Sequence, residues 1–318
     1  MRLPTGDGAI GLEGLRSDGS RVRSTPVSPV FGLPAAARPR VPLARLDATL
    51  QQRVATLVRG FPTIAAAYVQ DLSTGAGAAW NARARFPAAS TLKLAIAVEV
   101  LRSTTGPPTP GSSLDGLLRR MIVSSDNEAA NALEVLVGGS TGGGSARVDA
   151  LMRELGLLDS EMFGGYLIEE EQQLGLTPIP LRVEASPSFG RGKYTSAYDL
   201  ARLISLVHQA ADGRGQIATR LDGAVTTAEA RYLLWLLLHT TDHGKLDLGT
   251  GSLPIARKAG WIDTARHDNG VVYWPGGAVV VTVLTFSPSG PGAAADRLAG
   301  EVARTALARV RALARAAR

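Results

Sequence analysis

Cysteine is absent from this chain of 318 residues. Disulfides, thiolate metal sites and thiol catalysis are therefore excluded, while the redox compartment stays open. No run of about eighteen apolar residues occurs, so the sequence offers no membrane-spanning helix. Lysine is scarce: of 34 basic residues only Lys93, Lys193, Lys245 and Lys258 are Lys. The chain uses Arg wherever a generic positive charge suffices, so each retained Lys calls for a reason, because Lys can lose its proton and Arg cannot. Also missing is any block of Lys/Arg interleaved with aromatics, which argues against nucleic acid as partner.

What is present suits a globular protein. A hydrophobic content of 45% excludes wholesale disorder and collagen, and the length suits one large domain or two intimate ones. The net charge of +6 sits at the ends: residues 1–59 carry +5 and residues 297–318 carry +5, leaving −4 between them.

Residues 1–40 are rich in Gly, Pro, Ser and Arg without periodicity and read as a disordered basic extension. They hold no apolar core of a signal peptide, so either the chain is cytoplasmic or an exported precursor starts differently. Order is expected from Val41. Leu43, Leu46, Leu50, Val54 and Leu57 recur at three and four with Gly60 as the stop, the pattern of an amphipathic helix. Thr63–Leu72 and Ala76–Asn81 flank Ser73-Thr74-Gly75 as a hairpin.

From 89 to 249 the patterns are helical: Ser90–Leu101, Ser113–Ile122, Glu128–Val137, Ala146–Leu155, Ser196–Ala211 and Thr226–Leu238, with a long loop at 157–193. Strands return at Leu253–Ile262, Gly270–Trp274 and Ala278–Phe286, and a helix from about Ala293 closes the chain. The expected architecture is α/β (α+β): a five-stranded antiparallel sheet flanked by helices, from 41–88 and 250–318, with an all-helical part at 89–249 inserted. No repeat of 20–50 residues is visible.

Three short strings carry chemistry. Ser90-Thr91-Leu92-Lys93 opens a helix, and the i, i+3 spacing puts both side chains on one face. There Ser90 meets free backbone N–H groups and the dipole, and a Lys93 made neutral by a helix N-terminus or a second cation can take its proton. The bland alternative is a helix cap followed by a surface lysine. Ser125-Asp126-Asn127 precedes Glu128, and Ser125 with Glu128 makes a capping box by itself. Its functional reading is a hydroxyl relay at Ser125 and an amide contact at Asn127. Lys258-Ala259-Gly260-Trp261 lies on a strand, where the Lys offers charge to a carboxylate and small residues leave room for a ligand. Alone, an edge-strand lysine more often guards against aggregation.

Together and in this order, the three strings resemble the penicillin-recognising serine hydrolases, the class A β-lactamases and penicillin-binding proteins, which carry S-x-x-K, S-D-N and K-T-G. The likeness extends to Phe86-Pro87-Ala88-Ala89 before Ser90, to Ala129-Ala130-Asn131, and to Arg266-His267-Asp268-Asn269-Gly270, covering roughly 45–318. It implies a β-lactamase/D,D-peptidase-like fold. It makes Ser90 the acylated nucleophile, Lys93 its base, Ser125 the relay to the leaving nitrogen, Asn127 the holder of the substrate amide and Lys258 the carboxylate anchor. Ala259 and Gly260 line the substrate, and the N–H groups of Ser90 and Trp261 form the oxyanion hole.

The departures bear on the mechanism. Ala259 stands where the family has a hydroxyl, removing one hydrogen bond to a charged acceptor worth roughly 1.5–3 kcal/mol. The stretch between Ser90 and Ser125 is short, so one wall of the cleft should be low. Class A enzymes carry Glu-x-x-Leu-Asn to activate the deacylating water; the 157–193 loop offers only Glu171-Gln172-Gln173-Leu174-Gly175, which reads either as an echo with Glu171 as base or as a solvated acidic run, Glu169–Glu171.

Other signals are weaker. Gly138-Gly139-Ser140-Thr141-Gly142 matches G-x-S-x-G but follows a helical pattern and reads as a flexible loop. His239 and His243 are spaced like a helical metal pair but lie past the helix end without a third ligand. His267 reads as structural, holding the turn between strands, and Trp235 as core. The expected activity is a serine hydrolase forming acyl-enzymes with β-lactams, first a β-lactamase of slow deacylation, with a D,D-peptidase or penicillin-binding protein as second reading and a non-catalytic binding domain as third. No cofactor or metal is expected. The expected partner is a small β-lactam or peptidoglycan-like peptide, the expected state a monomer, and the family suggests an exported, periplasmic or extracellular bacterial protein linked to antibiotic resistance.

Overall fold

The computed structural model describes residues 6–32, 43–168, 183–190, 192–221 and 223–317. The chain divides into two compact units, Met1–Arg40 with Pro180–Arg182, and Val41–Ile179 with Val183–Arg318. In the first, β1 (Gly6–Ile10) pairs antiparallel with β4 (Val27–Gly32), and β2 (Glu13–Leu15) with β3 (Arg21–Arg23). Where the sequence reading expects no regular structure, these pairs rest on backbone ladders. The side chains of β2 and β3 are exposed, so they leave no periodic hydrophobic mark.

The second unit runs β5 (Arg45–Leu46), α1 (Ala48–Arg59), β6 (Ile64–Asp71), β7 (Ala76–Trp80), β8 (Phe86–Pro87), α2 (Lys93–Arg102), α3 (Ser113–Val123), α4 (Asn127–Gly138) and α5 (Thr141–Glu154). It continues with β9 (Tyr194–Thr195), α6 (Ala197–Ala210), α7 (Gly215–Arg220), α8 (Thr227–Leu238), α9 (Asp247–Thr250), β10 (Ile255–Arg257), β11 (Gly260–Ile262), β12 (Ala265–Trp274), β13 (Gly277–Phe286) and α10 (Gly292–Ala316).

The main sheet has seven strands in the order β10-β12-β13-β6-β7-β5, with β11 also on β12. It is a central sheet flanked by helices, as expected, but of seven strands where five are read from sequence. The single stretch Leu253–Ile262 is split at Lys258-Ala259 into β10 and β11, and Arg45–Leu46 adds a two-residue parallel strand beside β7. That strand also corrects the first helix: Asp47 caps α1 by accepting from Leu50 N–H, so Leu46 lies outside it and is exposed.

Both faces of the sheet are buried, and the period of two in a strand sorts the residues. Ala65, Ala67, Val69, Val279, Val281 and Val283 face one core with α1 and α10. Ala66, Tyr68, Val280 and Leu284 face the other, where α2, α4, α6 and α8 pack. Each of these Val and Leu side chains contributes about 1.5–3 kcal/mol when taken out of water, and each Ala methyl about 0.8 kcal/mol.

The glycine-rich stretch is a correction. Ser140 caps α5 by accepting from Gly143 N–H, so Gly142, Gly143 and Gly144 lie inside a helix and not in a loop. A Cβ on Gly144 would lie 2.5 Å from Glu134 Cβ and 2.6 Å from its Cα. Gly143 and Gly144 are the condition for α4 and α5 to approach closely, which a propensity reading cannot see. Trp235 is a second correction: it is not core but 41% exposed, stacked 4.6 Å under the Arg119 guanidinium and 4.3 Å from the His239 ring.

Candidate active site

The segment leading to Ser90 is fixed from two sides. Ala88 N–H donates to the Lys193 carbonyl at 2.8 Å. His267 lies not at a turn, as expected, but near the start of strand β12, where it donates from Nε2 to the Pro87 carbonyl at 2.8 Å and accepts Thr285 N–H at Nδ1. Burial depresses the His267 pKa to about 4, so the ring is neutral and its tautomer is set by these two partners. Its structural role is thus to hold the segment that leads to Ser90. Ala89 takes φ of 49°, a left-handed conformation unusual for alanine and typical of strained sites. Ser90-Thr91-Leu92 then form a tight turn, and α2 begins at Lys93, later than the pattern suggests.

Lys93 is fully buried and bonded to the next motif. Its amine donates to Asn127 Oδ1 at 2.6 Å and to the Ser125 carbonyl. Burial, then the charge of Lys258, lower its pKa to about 7, with Lys193 acting in the same sense and Asp126 and Glu134 opposing. A lysine so placed is half neutral near physiological pH and can serve as a base.

Ser125 lies between the two lysines. Its φ of 59° turns the chain ahead of α4. Asp126, not Ser125, caps that helix by accepting Ala129 N–H at 2.7 Å, so the expected capping box is not made and Ser125 is left for other work. Lys258 Nζ donates to Ser125 Oγ at 2.9 Å and to the Ala259 carbonyl at 2.8 Å. Burial depresses the Lys258 pKa to about 8 against the pull of Asp242 and Asp268. Behind it, Arg257 pairs with Asp247 at 2.6 Å and Asp268 at 3.3 Å, and Lys245 pairs with Asp242. His243 belongs to this cluster, 2.9 Å from Arg257 Nη2, whereas His239 Nδ1 lies 2.7 Å from the Trp235 carbonyl, so the two histidines have separate partners.

β11 closes the site against the nucleophile's turn. A Cβ on Gly260 would come 2.8 Å from Ser90 N and 2.9 Å from Thr91 N, so only glycine lets the strand backbone pass there. Ala259 is buried, whereas Trp261 is exposed at the rim. The structure thus brings Ser90, Lys93, Ser125, Asn127, Lys258 and Gly260 together, with Trp261 next in the strand. Glu171, the candidate base, lies outside the described residues, as does the acidic run 169–171.

Three residues of this site lie outside the three short strings, Asn131 being part of the likeness but without a role there. Tyr166 lies against Lys93, with its ring centroid 4.6 Å from Nζ. Asn131 holds Tyr166 by both backbone groups, accepting its N–H at 2.6 Å and donating to its carbonyl at 3.0 Å. Lys193 donates to the carbonyls of Phe163 and Gly165. The only advance signal is that Lys193 is one of four lysines.

The chain was compared with known proteins. A model of the Beta-lactamase enzyme family matches residues 49–106 and 103–310. No curated protein matches significantly. Among solved structures, PBP-A superposes with a TM-score of 0.66 at 22% identity, over 86% of this chain and 99% of its own. PBP-A is also known as an L158E mutant in an acyl-enzyme complex with penicillin G, with a TM-score of 0.65. A β-lactamase from Sphaerobacter thermophilus gives 0.61 at 20% identity, covering 82% of this chain and 96% of that one. One from Streptosporangium roseum gives 0.63 at 19%, covering 83% and 99%. These likenesses establish a shared fold.

Proposed function

The chain belongs to the Beta-lactamase enzyme family, and from that membership we propose that it opens β-lactam rings through an acyl-enzyme on Ser90. The observation that carries this reading is the chain of contacts Asn127–Lys93–Ser125–Lys258 laid beside the Ser90 turn.

In the proposed acylation, neutral Lys93 takes the Ser90 proton as Oγ bonds to the carbonyl carbon. The N–H groups of Ser90 and Trp261 receive the developing oxyanion. The ring C–N bond then breaks. Ser125 Oγ hands its proton to the leaving nitrogen and takes up in exchange the proton that Lys93 received from Ser90, while the Lys258 ammonium that donates to Ser125 stabilises the oxygen during the transfer. An ammonium has three donors, and two are engaged by Ser125 and Ala259, so one remains for a substrate carboxylate. Asn127 accepts from Lys93 through Oδ1, which leaves its amide N–H₂ for a substrate carbonyl.

A second reading, a D,D-peptidase acting on peptidoglycan peptides, is favoured by one observation. The ring of Tyr166 lies against Lys93, and the two described carboxylates that act on the amine are already engaged, Asp126 as the cap of α4 and Glu134 with the Ser145 hydroxyl, so the described surroundings of Lys93 favour a long-lived acyl-enzyme. The PBP-A L158E mutant, in its acyl-enzyme complex with penicillin G, shares the fold. Both readings place the substrate outside the cytoplasm and so propose an exported enzyme. The site is assembled within one chain, consistent with a monomer, and among the described residues no helix is long and apolar enough to cross a membrane.

The test is a time course of intact protein mass with penicillin, run beside hydrolysis of a D-alanyl-D-alanine peptide. A transient adduct with consumed drug supports the lactamase, a lasting adduct with peptide cleavage the peptidase. No adduct and no cleavage refutes both.

A further inference from the structure

Lys193 is the one lysine of four that neither the proposed acylation nor the ion pairs behind Lys258 use, yet its amine is closely held. It donates to the Phe163 carbonyl at 2.8 Å and the Gly165 carbonyl at 2.7 Å, and lies 4.5 Å from the centroid of the Tyr166 ring. Lys93 Nζ lies 4.6 Å from that same centroid. The two amines are therefore no more than about 9 Å apart, with one aromatic ring between or beneath them. The backbone of Lys193 accepts from Ala88, two residues ahead of Ser90. One residue thus holds the nucleophile's segment through its carbonyl and the ring beside the base through its side chain.

We infer that Lys193 is a positioning residue for Lys93: it pins the Tyr166 ring against the Lys93 amine and sets a fixed positive charge beside it. The inference rests on the reading of Lys93 as the base. Among the described residues, the groups facing Lys93 from each packed element are Lys258 from the β10–β11 junction, Asp126 and Glu134 from α4 and its cap, and Tyr166 and Lys193 from the segment between α5 and β9. Like charges at this range disfavour each other's protonated form, so Lys193 helps keep Lys93 neutral. A loop clasp alone would need only donors, which Gln can supply. The charge is what Gln lacks.

The scarcity of lysine supplies the experiment. Protein labelled with ¹³C at lysine Cε has four lysine signals, and Lys93→Arg assigns the one that matters. The Lys93 titration midpoint is measured in wild type, Lys193→Gln and Lys193→Arg, with circular dichroism to confirm folding. The midpoint should rise by roughly one pH unit in Lys193→Gln, the size of a Coulomb interaction at this range in a partly screened site, and return in Lys193→Arg. An unmoved midpoint in folded Lys193→Gln would overturn the inference. Should that variant not fold, the wild-type spectrum decides: Lys193 must stay an ammonium throughout the range in which Lys93 loses its proton, and a Lys193 that titrates first contradicts it. The readout needs no substrate, so a wrong reading of the reaction would show instead as absence of any penicillin adduct.

Discussion

Lys258 donates a hydrogen bond of 2.9 Å to Ser125 Oγ across 133 residues of sequence. The hydroxyl is thereby made more acidic and aimed, while the Ser125 carbonyl takes the amine of Lys93. Two lysines, each with a depressed pKa, meet at one serine. One suits a base and the other an acid.

A pH profile follows from this pairing. Lys93 works as a base once it loses its proton, so acylation should rise as pH passes about 7. Lys258 works as a cation, so acylation should fall as pH passes about 8. The expected curve is a narrow bell between those limbs. Adduct formation with penicillin from pH 5 to 10 measures it, and a flat response above pH 6 would contradict the assignment.

Replacing Lys93 by Arg should be as damaging as replacing it by Ala. Guanidinium keeps its proton at any working pH and cannot take one from Ser90. Acylation should slow by about 10²–10⁴-fold in both variants, the usual worth of a positioned base. An Arg variant of near-native rate would mean that Lys93 supplies charge alone.

Helix packing gives a test independent of catalysis. Gly144→Ala places a methyl 2.4 to 2.6 Å from the Glu134 backbone and Cβ and should cost about 1–3 kcal/mol. Gly142→Ala, in the same helix with open space around it, should gain roughly 0.5–1 kcal/mol. Chemical denaturation of the two variants should move in opposite directions.

How far the sequence reaches is visible in these residues. Ser90 to Lys93, Ser125 to Asn127 and Lys258 to Gly260 are legible because each group of functional side chains is packed into a few consecutive positions. Tyr166, Asn131 and Lys193 are not, because their meeting depends on a loop returning to α4 and leaves no local spacing. Strands β6 and β13 and the second half of β12 show β-branched or alternating runs, whereas residues 265–269 of β12 are largely polar and β5 has two residues and no pattern to show. Trp235 misleads because a helix carrying Leu233, Leu234, Leu236 and Leu237 looks apolar on every side. Gly143 and Gly144 mislead because helix propensity counts against glycine while close packing demands it.

Deacylation should limit turnover. The groups proposed for acylation are assembled, while the group against Lys93 is an aromatic ring. Stopped-flow hydrolysis of a chromogenic cephalosporin should show a burst of about one equivalent before a slow steady state. Glu171→Gln tests the one sequence candidate for a base: an unchanged steady state is expected, and a large loss would make Glu171 that base.

Covalent labelling of Ser90 decides the account as a whole. Wild type and Ser90→Ala are incubated with penicillin, weighed intact and digested for peptide mapping. Wild type should gain one penicillin mass on the peptide containing Ser90, and folded Ser90→Ala should gain none. Undiminished labelling of the Ala variant, or an unlabelled wild type, would contradict it.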